Sequence, residues 1–182
     1  MAKLISKTYG EALFELAVEE NKTDVFVEEI EGILGVLEEN PEFDTLMNHP
    51  KILKEEKITV MENVFKGRIS DELVGFLSLI ITKDRYNEVR KILEYFLQEV
   101  KVLKGIGTAF VSSAQALRPE QQKAVEERLL ATTSFNKMEM HYSVDPELIG
   151  GMVIRIGDRV VDSSVKAKLE ELTRQLMKVQ LA

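Results

Sequence analysis

Along residues 1–104, apolar side chains recur at steps of three and four, which is the period of an amphipathic α-helix. Short turns separate six such stretches, which predict helices over 3–20, 26–37, 41–47, 58–65, 71–82 and 89–100. Thr23 is placed to cap the second helix, and Asn40-Pro41 ends it because a residue before proline disfavours the helical conformation. Ser70 or a neighbour opens the fifth helix. Six helices joined by short turns predict a compact bundle.

Residues 105–182 combine the periods of strand and helix. Alternating apolar and polar positions predict strands over 108–112, 138–144 and 152–156, followed by a tight hairpin turn at Gly157-Asp158. Helical spacing predicts a helix over 118–131. The final helix carries a heptad-like apolar seam made of Val165, Leu169, Leu172, Leu176 and Val179. The predicted fold is therefore mainly α, with an N-terminal six-helix bundle and a small α/β C-terminal module.

The two parts also differ in charge. Residues 1–104 hold 14 basic and 21 acidic side chains, whereas residues 105–182 hold 10 of each, so the net charge of −7 belongs to the first part. Gly105-Ile106-Gly107 lies between them, and its glycines suit a hinge better than a phosphate-binding loop, which needs further glycines or a Gly-Lys-Ser/Thr ending. We therefore predict two domains, 1–104 and 105–182.

The final helix is expected to divide along its length. The part of its seam from Val165 to Leu172 is predicted to pack on the small sheet, because Asp162 and Ser163 tie its start to the hairpin. The part nearer the chain end has little sheet left to cover it. Leu176, Val179 and Leu181 are therefore predicted to contact a partner, and a frayed end with no role is the alternative.

Composition excludes several classes of function. A net charge of −7 argues against nucleic-acid binding, which normally needs a basic face. The chain has no cysteine, and its two histidines, His49 and His141, are far apart, so disulfide, thiol and histidine-rich metal chemistry are not expected. No apolar run reaches the length of a membrane span, and residues 1–10 do not resemble a signal or transit peptide.

The acidic residues near the predicted turns of the C-terminal module are the only candidates for chemistry. Asp145, Asp158 and Asp162 lie close in sequence to Gly150-Gly151, but their spacing matches no metal-binding loop, and turn and cap roles account for them. Gly150, Gly151 and Gly157 are assigned to bends or close backbone approaches. We predict no catalytic, cofactor or metal site, with a carboxylate-based hydrolase as a less favoured alternative.

Two helices carry more apolar surface than one buried face requires. On the fifth helix, Val74 and Ile81 widen the core stripe on one side and Leu79 on the other; on the first helix, apolar or small residues also lie beside the core stripe. The candidate surface combines the residues on the two helices: Gly10, Leu13, Phe14, Ala17, Val74, Leu77 and Ile81. A stripe wider than about 100° indicates either a helix buried on all sides or a groove that accepts a partner helix. Both interpretations stay open at this point.

One motif in the C-terminal module resembles a known family. Residues 144–158 read VDPELIGGMVIRIGD and are followed by the VDSS of residues 161–164. This string resembles the C-terminal signature of the F-type ATP synthase delta subunit family, which in mitochondria is called the oligomycin-sensitivity-conferring protein. The YGEAL of residues 9–13 is similar to that family's Tyr-Ala-x-Ala-Leu opening, with Gly10 in place of alanine. Arg85 matches an arginine that the family places at the start of the sixth helix.

The resemblance implies a function that the residues alone leave open. Family members are non-catalytic parts of the peripheral stalk, which keeps the catalytic head from turning with the rotor. Their N-terminal bundle binds alpha subunits and their C-terminal module binds the b subunit. The groove on the first and fifth helices would then be the alpha site, and the end of the last helix the b site. Membrane association would be only through the complex, on the cytoplasmic face of a bacterial membrane. An unrelated helical scaffold or adaptor is the other alternative.

Overall fold

The computed structural model describes residues 2–180 and is mostly helical, with a small four-stranded sheet in its C-terminal part. Its contacts divide the chain into two compact units, Met1–Val100 and Lys101–Ala182. We call these the first and second units. The division falls a few residues before the boundary predicted from the glycines, and independent folding of the two parts stays a prediction.

Six α-helices make up the first unit and continue to the start of the sheet. They are α1 (Ala2–Glu19), α2 (Thr23–Glu39), α3 (Pro41–Met47), α4 (Lys54–Phe65), α5 (Asp71–Thr82) and α6 (Val89–Leu103). A short 3-10 turn, Tyr86–Glu88, precedes α6. The predicted bounds of α3 and α5 agree with the structure. In α3 the local signals are strong, because Pro41 occupies the first turn, where its missing N–H costs nothing.

The prediction that Ser70 or a neighbour opens the fifth helix is confirmed, because Ser70 directly precedes α5. Its N–H and hydroxyl donate to the carboxylate of Glu29 at 3.0 and 2.7 Å, which ties α5 to α2. Two other local predictions for these helices are wrong. Thr23 is the first residue of α2 and Lys22 precedes it, so the Thr23 side chain is not the cap. Arg85 precedes the 3-10 turn and does not begin α6.

The first unit has one continuous apolar core. Aromatic rings join its helices, since Phe96 of α6 packs against Phe14 of α1 and Phe26 of α2 at centroid distances of 6.5 and 6.3 Å. The buried members of the core are Leu13, Ala17, Phe26, Ile30, Ile33, Leu37, Met47, Met61, Phe65, Leu73, Val74, Leu77, Ile80, Ile81, Tyr86, Val89, Ile92, Leu93, Phe96 and Val100. They come from every helix of the unit, so burial of shared apolar surface holds the six helices together.

A polar clamp lies at one edge of this core. The Arg90 guanidinium donates to the Asp44 carboxylate at 2.7 Å and to the Leu37 carbonyl at 2.5 Å, joining α6 to α3 and to the end of α2. The Tyr86 hydroxyl donates to the same carboxylate at 3.1 Å. Burial, together with the charge of Asp44 and the hydrogen bond to it, raises the pKa of Tyr86, because ionisation would place a second anion there.

The second unit is built around a mixed sheet. Its elements are β1 (Ile106–Ser113), α7 (Pro119–Thr132), β2 (Lys137–Val144), β3 (Met152–Ile156), β4 (Arg159–Asp162) and α8 (Val165–Gln180). The strand order is β2-β1-β3-β4; β1 and β2 are parallel, and the other neighbours are antiparallel. Parallel β1 and β2 require a crossover, which α7 provides.

The glycines of the predicted hinge have separate structural roles. Gly105 follows α6 with φ of +70°, a conformation that glycine adopts without strain. Gly107 is a residue of β1, and a Cβ there would lie 2.5 Å from the Phe135 ring. Close packing against the end of the crossover therefore explains the second glycine.

The predicted packing of α8 is wrong. Leu169 and Leu172 are 51% and 55% exposed, so the seam does not lie on the sheet. The start of the helix is nevertheless fixed, because the Ser164 hydroxyl accepts the Ala167 N–H at 3.1 Å as an N-cap. Leu169 and Leu172 are therefore exposed beyond a first turn whose position is fixed.

Candidate partner-binding surfaces

The apolar set predicted on the first and fifth helices lies almost entirely inside the first unit. Only Phe14 is half-buried, and the others are buried: Gly10, Leu13, Ala17, Val74, Leu77 and Ile81. The additional apolar side chains of α1 and α5 are thus buried against neighbouring helices of the same unit. That these residues bind a partner stays a prediction.

Gly10 shows how this internal packing works. A Cβ at Gly10 would lie 2.4 Å from Cδ1 of Tyr95 and 3.3 Å from the carbonyl oxygen of Ile92, both on α6. Real side-chain contacts do not come that close, so the absence of a side chain permits α1 to approach α6. The small residue that suggested room for a partner helix is already used by a helix of this chain.

Other apolar side chains on the same two helices remain accessible. Leu4 and Val18 of α1 and Leu79 of α5 are exposed, and the position above Gly75 on α5 is open. Leu79 lies at the edge of the wide apolar stripe that the sequence shows for α5. These exposed positions are the surface that α1 and α5 offer to another molecule.

The set predicted at the chain end is only partly covered by the structure. The backbone of Leu176 and Val179 is described as part of α8. The side chains of these two residues, and all of Leu181, lie outside the described part of the chain. Met177, which is described, is exposed. The prediction for this set therefore stays a prediction.

Sequence reasoning missed a groove in the second unit. It has a volume of about 670 Å³ and runs between α7 and the β3–β4 half of the sheet. Its lining residues are Ala124, Val125, Arg128, Leu129, Thr132, Thr133, Met152, Ile154, Ile156, Arg159, Val161 and Ser163. One sequence signal points to it. The helix predicted over 118–131 has few large apolar side chains, so it can cover little of the sheet.

The glycines of the turn signature hold backbone conformations that require them. Gly151 and Gly157 have φ of +78° and +56°. A Cβ on Gly151 would lie 2.4 Å from the carbonyl oxygen of Ser163, whereas the space above Gly157 is open. Gly150 has no positive φ, but a Cβ there would come within 3.0 Å of Val165 at the start of α8. The predicted positive φ at Gly157 is confirmed.

The candidate carboxylates act as caps of turns. The Asp145 carboxylate accepts the Glu147 N–H at 3.1 Å, and the Asp162 carboxylate accepts the Ser164 N–H at 2.8 Å. The hydrogen bonds from Ser164 lower the pKa of Asp162, because they stabilise its charged form. Asp158 also has an interaction partner. The contacts of Asp145 and Asp162 are architectural and give the hydrolase alternative no support.

The histidines lie away from these carboxylates. His141 is exposed on the outer face of the sheet, where its ring stacks on Phe110 at 4.9 Å between centroids. The guanidinium of Arg155 lies over the same Phe110 ring at 5.1 Å. His49 accepts the Lys51 N–H in a turn. Within residues 2–180 no cluster of three or more acidic or histidine side chains could hold a metal ion, and no helix there could span a membrane.

Comparisons with known proteins agree with this architecture. The family model for the ATP synthase delta (OSCP) subunit matches residues 5–176. The ATP synthase subunit delta of Lachnoclostridium phytofermentans is 51% identical over 181 residues, covering 100% of both chains. That of Brevibacillus brevis is 33% identical over 175 residues, covering 96% of this chain and 99% of its own.

A solved structure shows the same fold. A chain of the Toxoplasma gondii mitochondrial ATP synthase hexamer superposes with a TM-score of 0.68 at 17% identity, covering 94% of this chain and 97% of that chain. The chain thus belongs to the ATP synthase delta (OSCP) subunit family. The members of this family are structural, non-catalytic components.

Proposed function

We propose that this chain is a stator subunit in the peripheral stalk of an F-type ATP synthase, linking the alpha subunits of the catalytic head to the b subunit. The observation that carries the proposal is membership of the delta family over nearly the whole chain, with relatives of the same length. Two compact units, each with accessible apolar surface, suit a protein that joins two partners. Its work is mechanical: it resists the torque that would otherwise turn the head with the rotor.

In this proposal the first unit is an N-terminal six-helix bundle that binds the N-terminal segment of an alpha subunit across α1 and α5. The predicted residues, Gly10, Leu13, Phe14, Ala17, Val74, Leu77 and Ile81, form the supporting layer of that surface. Because most of them are buried, the partner's direct contacts fall on exposed neighbours such as Leu79. A helix with an apolar stripe is the natural occupant of such a surface.

The alpha contact is tested with a charge on the exposed rim of α5. Leu79 is 44% exposed, so Leu79→Asp should leave the fold intact but bury an unpaired carboxylate under the partner. We expect the affinity for an alpha N-terminal peptide to fall at least about tenfold, or about 1.4 kcal/mol, by titration calorimetry. Val25→Asp on α2, at a similar 49% exposure, is the matched control and should bind normally. If Leu79→Asp and Val25→Asp bound the alpha peptide with equal affinity, the alpha site would not lie on α5.

The second unit is proposed to hold the b subunit, with Leu176, Val179 and Leu181 contributing. The exposed side chains of Leu169, Leu172 and Met177 on α8 support a contact in this region, because exposed apolar residues favour coverage by a partner. Deleting residues 177–182 should leave the fold and alpha-peptide binding unchanged and weaken binding of the b C-terminal segment. Full b binding after the deletion would show that the contact lies elsewhere in the unit.

The stator role itself is tested in the cell. We infer that the chain is held at the cytoplasmic face of the membrane through the complex, as its likeness to delta subunits from Lachnoclostridium phytofermentans and Brevibacillus brevis supports. A tagged chain purified from detergent-solubilised membranes should bring down alpha and b subunits, identified by mass spectrometry. Recovery without either subunit would contradict the proposal.

A further inference from the structure

A cavity in the first unit lies where two connections between helices meet. Residues 48–53 join α3 to α4, and residues 83–88 join α5 to α6. The cavity has a volume of about 420 Å³ and is lined from both connections and from the start of α4. Ligand sites for small molecules have volumes from about 300 Å³ upward, so the cavity has room for a compact molecule.

Polar contacts hold the two sides of the cavity together. The Lys54 ammonium, at the start of α4, donates to the Thr82 carbonyl at 2.9 Å and pairs with the Asp84 carboxylate at 2.5 Å. His49 accepts the Lys51 N–H at 3.3 Å within the turn before α4. An exposed ion pair adds little stability, so the consequence of these contacts is positional. A site whose walls are already in place loses less conformational freedom when a ligand binds.

Part of the lining belongs to the apolar core. Met47, Ile81 and Tyr86 line the cavity and are only 2%, 3% and 8% exposed. Ile52 adds apolar surface from the first connection. The Tyr86 hydroxyl already donates to Asp44 at 3.1 Å, so its hydrogen is not free for a ligand. A ligand that fills the cavity therefore needs an apolar body, because a polar group against these side chains would lose its hydrogen bonds to water.

Three polar side chains of the lining have unused hydrogen-bonding capacity. Lys57 of α4 is half-buried, and among residues 2–180 its ammonium makes no hydrogen bond or ion pair. The side-chain amides of Asn48 and Asn87, one on each connection, have no partner within the described part of the chain either. An ammonium that is partly withdrawn from water and has no counterion favours an anion beside it.

The charge of the lining has the opposite sign to that of the unit around it. Residues 1–104 hold 14 basic and 21 acidic side chains and carry a net charge of −7. The charged residues of the lining are Lys54, Lys57 and Asp84, which together carry one positive charge. Because Lys54 is paired with Asp84, the unbalanced charge is that of Lys57. The lining thus suits a single negative charge, and the acidic unit would repel a polyanion such as a nucleotide.

We propose that this cavity binds a small organic monoanion, a carboxylate carried on a compact apolar body such as an aromatic ring. Lys57 pairs with the carboxylate, Asn48 and Asn87 donate to it, and the apolar body lies against Met47 and Ile81. Since the ligand would contact both connections, its binding should stabilise the first unit. The proposal goes beyond the stator function and stands without it.

The experiment titrates the full-length chain with benzoate and follows amide resonances by NMR. We expect saturable shifts at Asn48 and Asn87, with a Kd of about 1 mM or tighter. Benzamide has nearly the same shape without the charge and should bind at least about tenfold more weakly. Lys57→Gln should weaken benzoate binding at least about tenfold, whereas Lys57→Arg, which keeps the charge, should retain most of it. Lys66→Gln, just beyond the other end of α4, is the matched control and should bind benzoate like the wild type.

Several results would overturn the proposal. The absence of a saturable shift at millimolar benzoate would show that the cavity is not a site, and equal binding of benzamide would show that it does not select charge. Equal weakening by Lys57→Gln and Lys66→Gln would mean that benzoate responds only to the overall charge. If a blocked glutamate amide, which represents the side chain of a partner protein, bound more tightly than benzoate, the cavity would be a protein contact. The benzoate and benzamide titrations use the wild-type chain, so they decide the question even where a variant does not fold.

Discussion

The two units bury apolar side chains to very different extents. The first unit gathers 20 buried residues into one core. In the second unit, the described apolar side chains that are buried are those of Ala109, Val111, Met138 and Leu148. All four residues of β4 are exposed, and α7 has none buried. A unit of about eighty residues with so small a core is short of buried surface, so a second chain that covers β3, β4 and α7 would complete it.

The difference indicates two kinds of binding. The core of the first unit is already buried, so a partner adds contacts on its surface. A partner of the second unit would cover apolar side chains of the sheet and α7 that are still accessible, so its binding should also stabilise that unit. Bound and free forms of the second unit should therefore differ in stability more than those of the first.

The largest expected effect is in the core of the first unit. Phe96 is fully buried between Phe14 and Phe26, so Phe96→Ala should cost about 3–5 kcal/mol of unfolding free energy. Leu129 of α7 is half-buried at the groove, and Leu129→Ala should cost less than about 2 kcal/mol. Urea unfolding followed by amide resonances of each unit measures both. Similar losses would mean that the second unit is packed as tightly as the first.

The second unit should depend more on its turns. Gly151→Ala places a Cβ 2.4 Å from the Ser163 carbonyl at a φ of +78°, and we expect a loss of about 2 kcal/mol or more. Gly157→Ala has a positive φ but open space, and should cost about 1 kcal/mol. Thermal unfolding of the two variants gives the comparison. A larger loss of stability for Gly157→Ala than for Gly151→Ala would show that the close approach to Ser163 does not govern the cost at Gly151.

The polar clamp makes the first unit sensitive to alkali. The folded state raises the pKa of Tyr86, so its contribution to stability is complete below the unfolded pKa of about 10 and is lost as the pH rises above it. Tyr86→Phe should cost about 1 kcal/mol at pH 7 through the lost hydrogen bond to Asp44. The difference in free energy of unfolding between the wild-type protein and Tyr86→Phe, measured by urea titration, should become smaller above pH 10. A constant gap would show that Tyr86 ionises as freely in the fold as in the unfolded chain.

The smallest effect concerns the start of α8. The pKa of Asp162 is lowered by the hydrogen bonds from Ser164, so the cap is complete above about pH 4 and is lost as the pH falls through the folded value. The Ser164 amide resonance should titrate with a midpoint below the ordinary pKa of an aspartate side chain. Asp162→Ala should abolish that titration and leave resonances of the first unit unchanged. A midpoint at or above the ordinary value would contradict the cap.

Local signals let the sequence predict much of the helical fold. The bounds of α3 and α5 followed from Pro41 and from the spacing of apolar residues, because a helix is specified by neighbours three and four apart. The cap at Thr23 failed because assignments of helix ends depend on a single residue and on what else competes for its hydrogen bonds. Ser70 illustrates that competition, since Glu29 of another helix takes its hydroxyl.

The candidate sites were predicted less well, for a physical reason. The turn roles of Asp145, Asp162 and Gly157 are local and could be read from sequence. The groove could not, because it depends on which half of the sheet α7 covers. Strand order and the choice of face are contacts between residues far apart in the chain, and no local pattern records them.

What the sequence by itself determined is which positions are apolar, their helical or strand period, and the signature of residues 144–164. Tertiary structure alone decided where that apolar surface went. On α1 and α5 it turned inward, because α6 could approach at Gly10 and take it up. On β4 it stayed exposed and on β3 it stayed half-buried, because one crossover helix is too narrow to cover four strands. The period of apolar residues identifies an apolar face of a helix or strand. Only the packing of elements that are distant in sequence determines what covers that face.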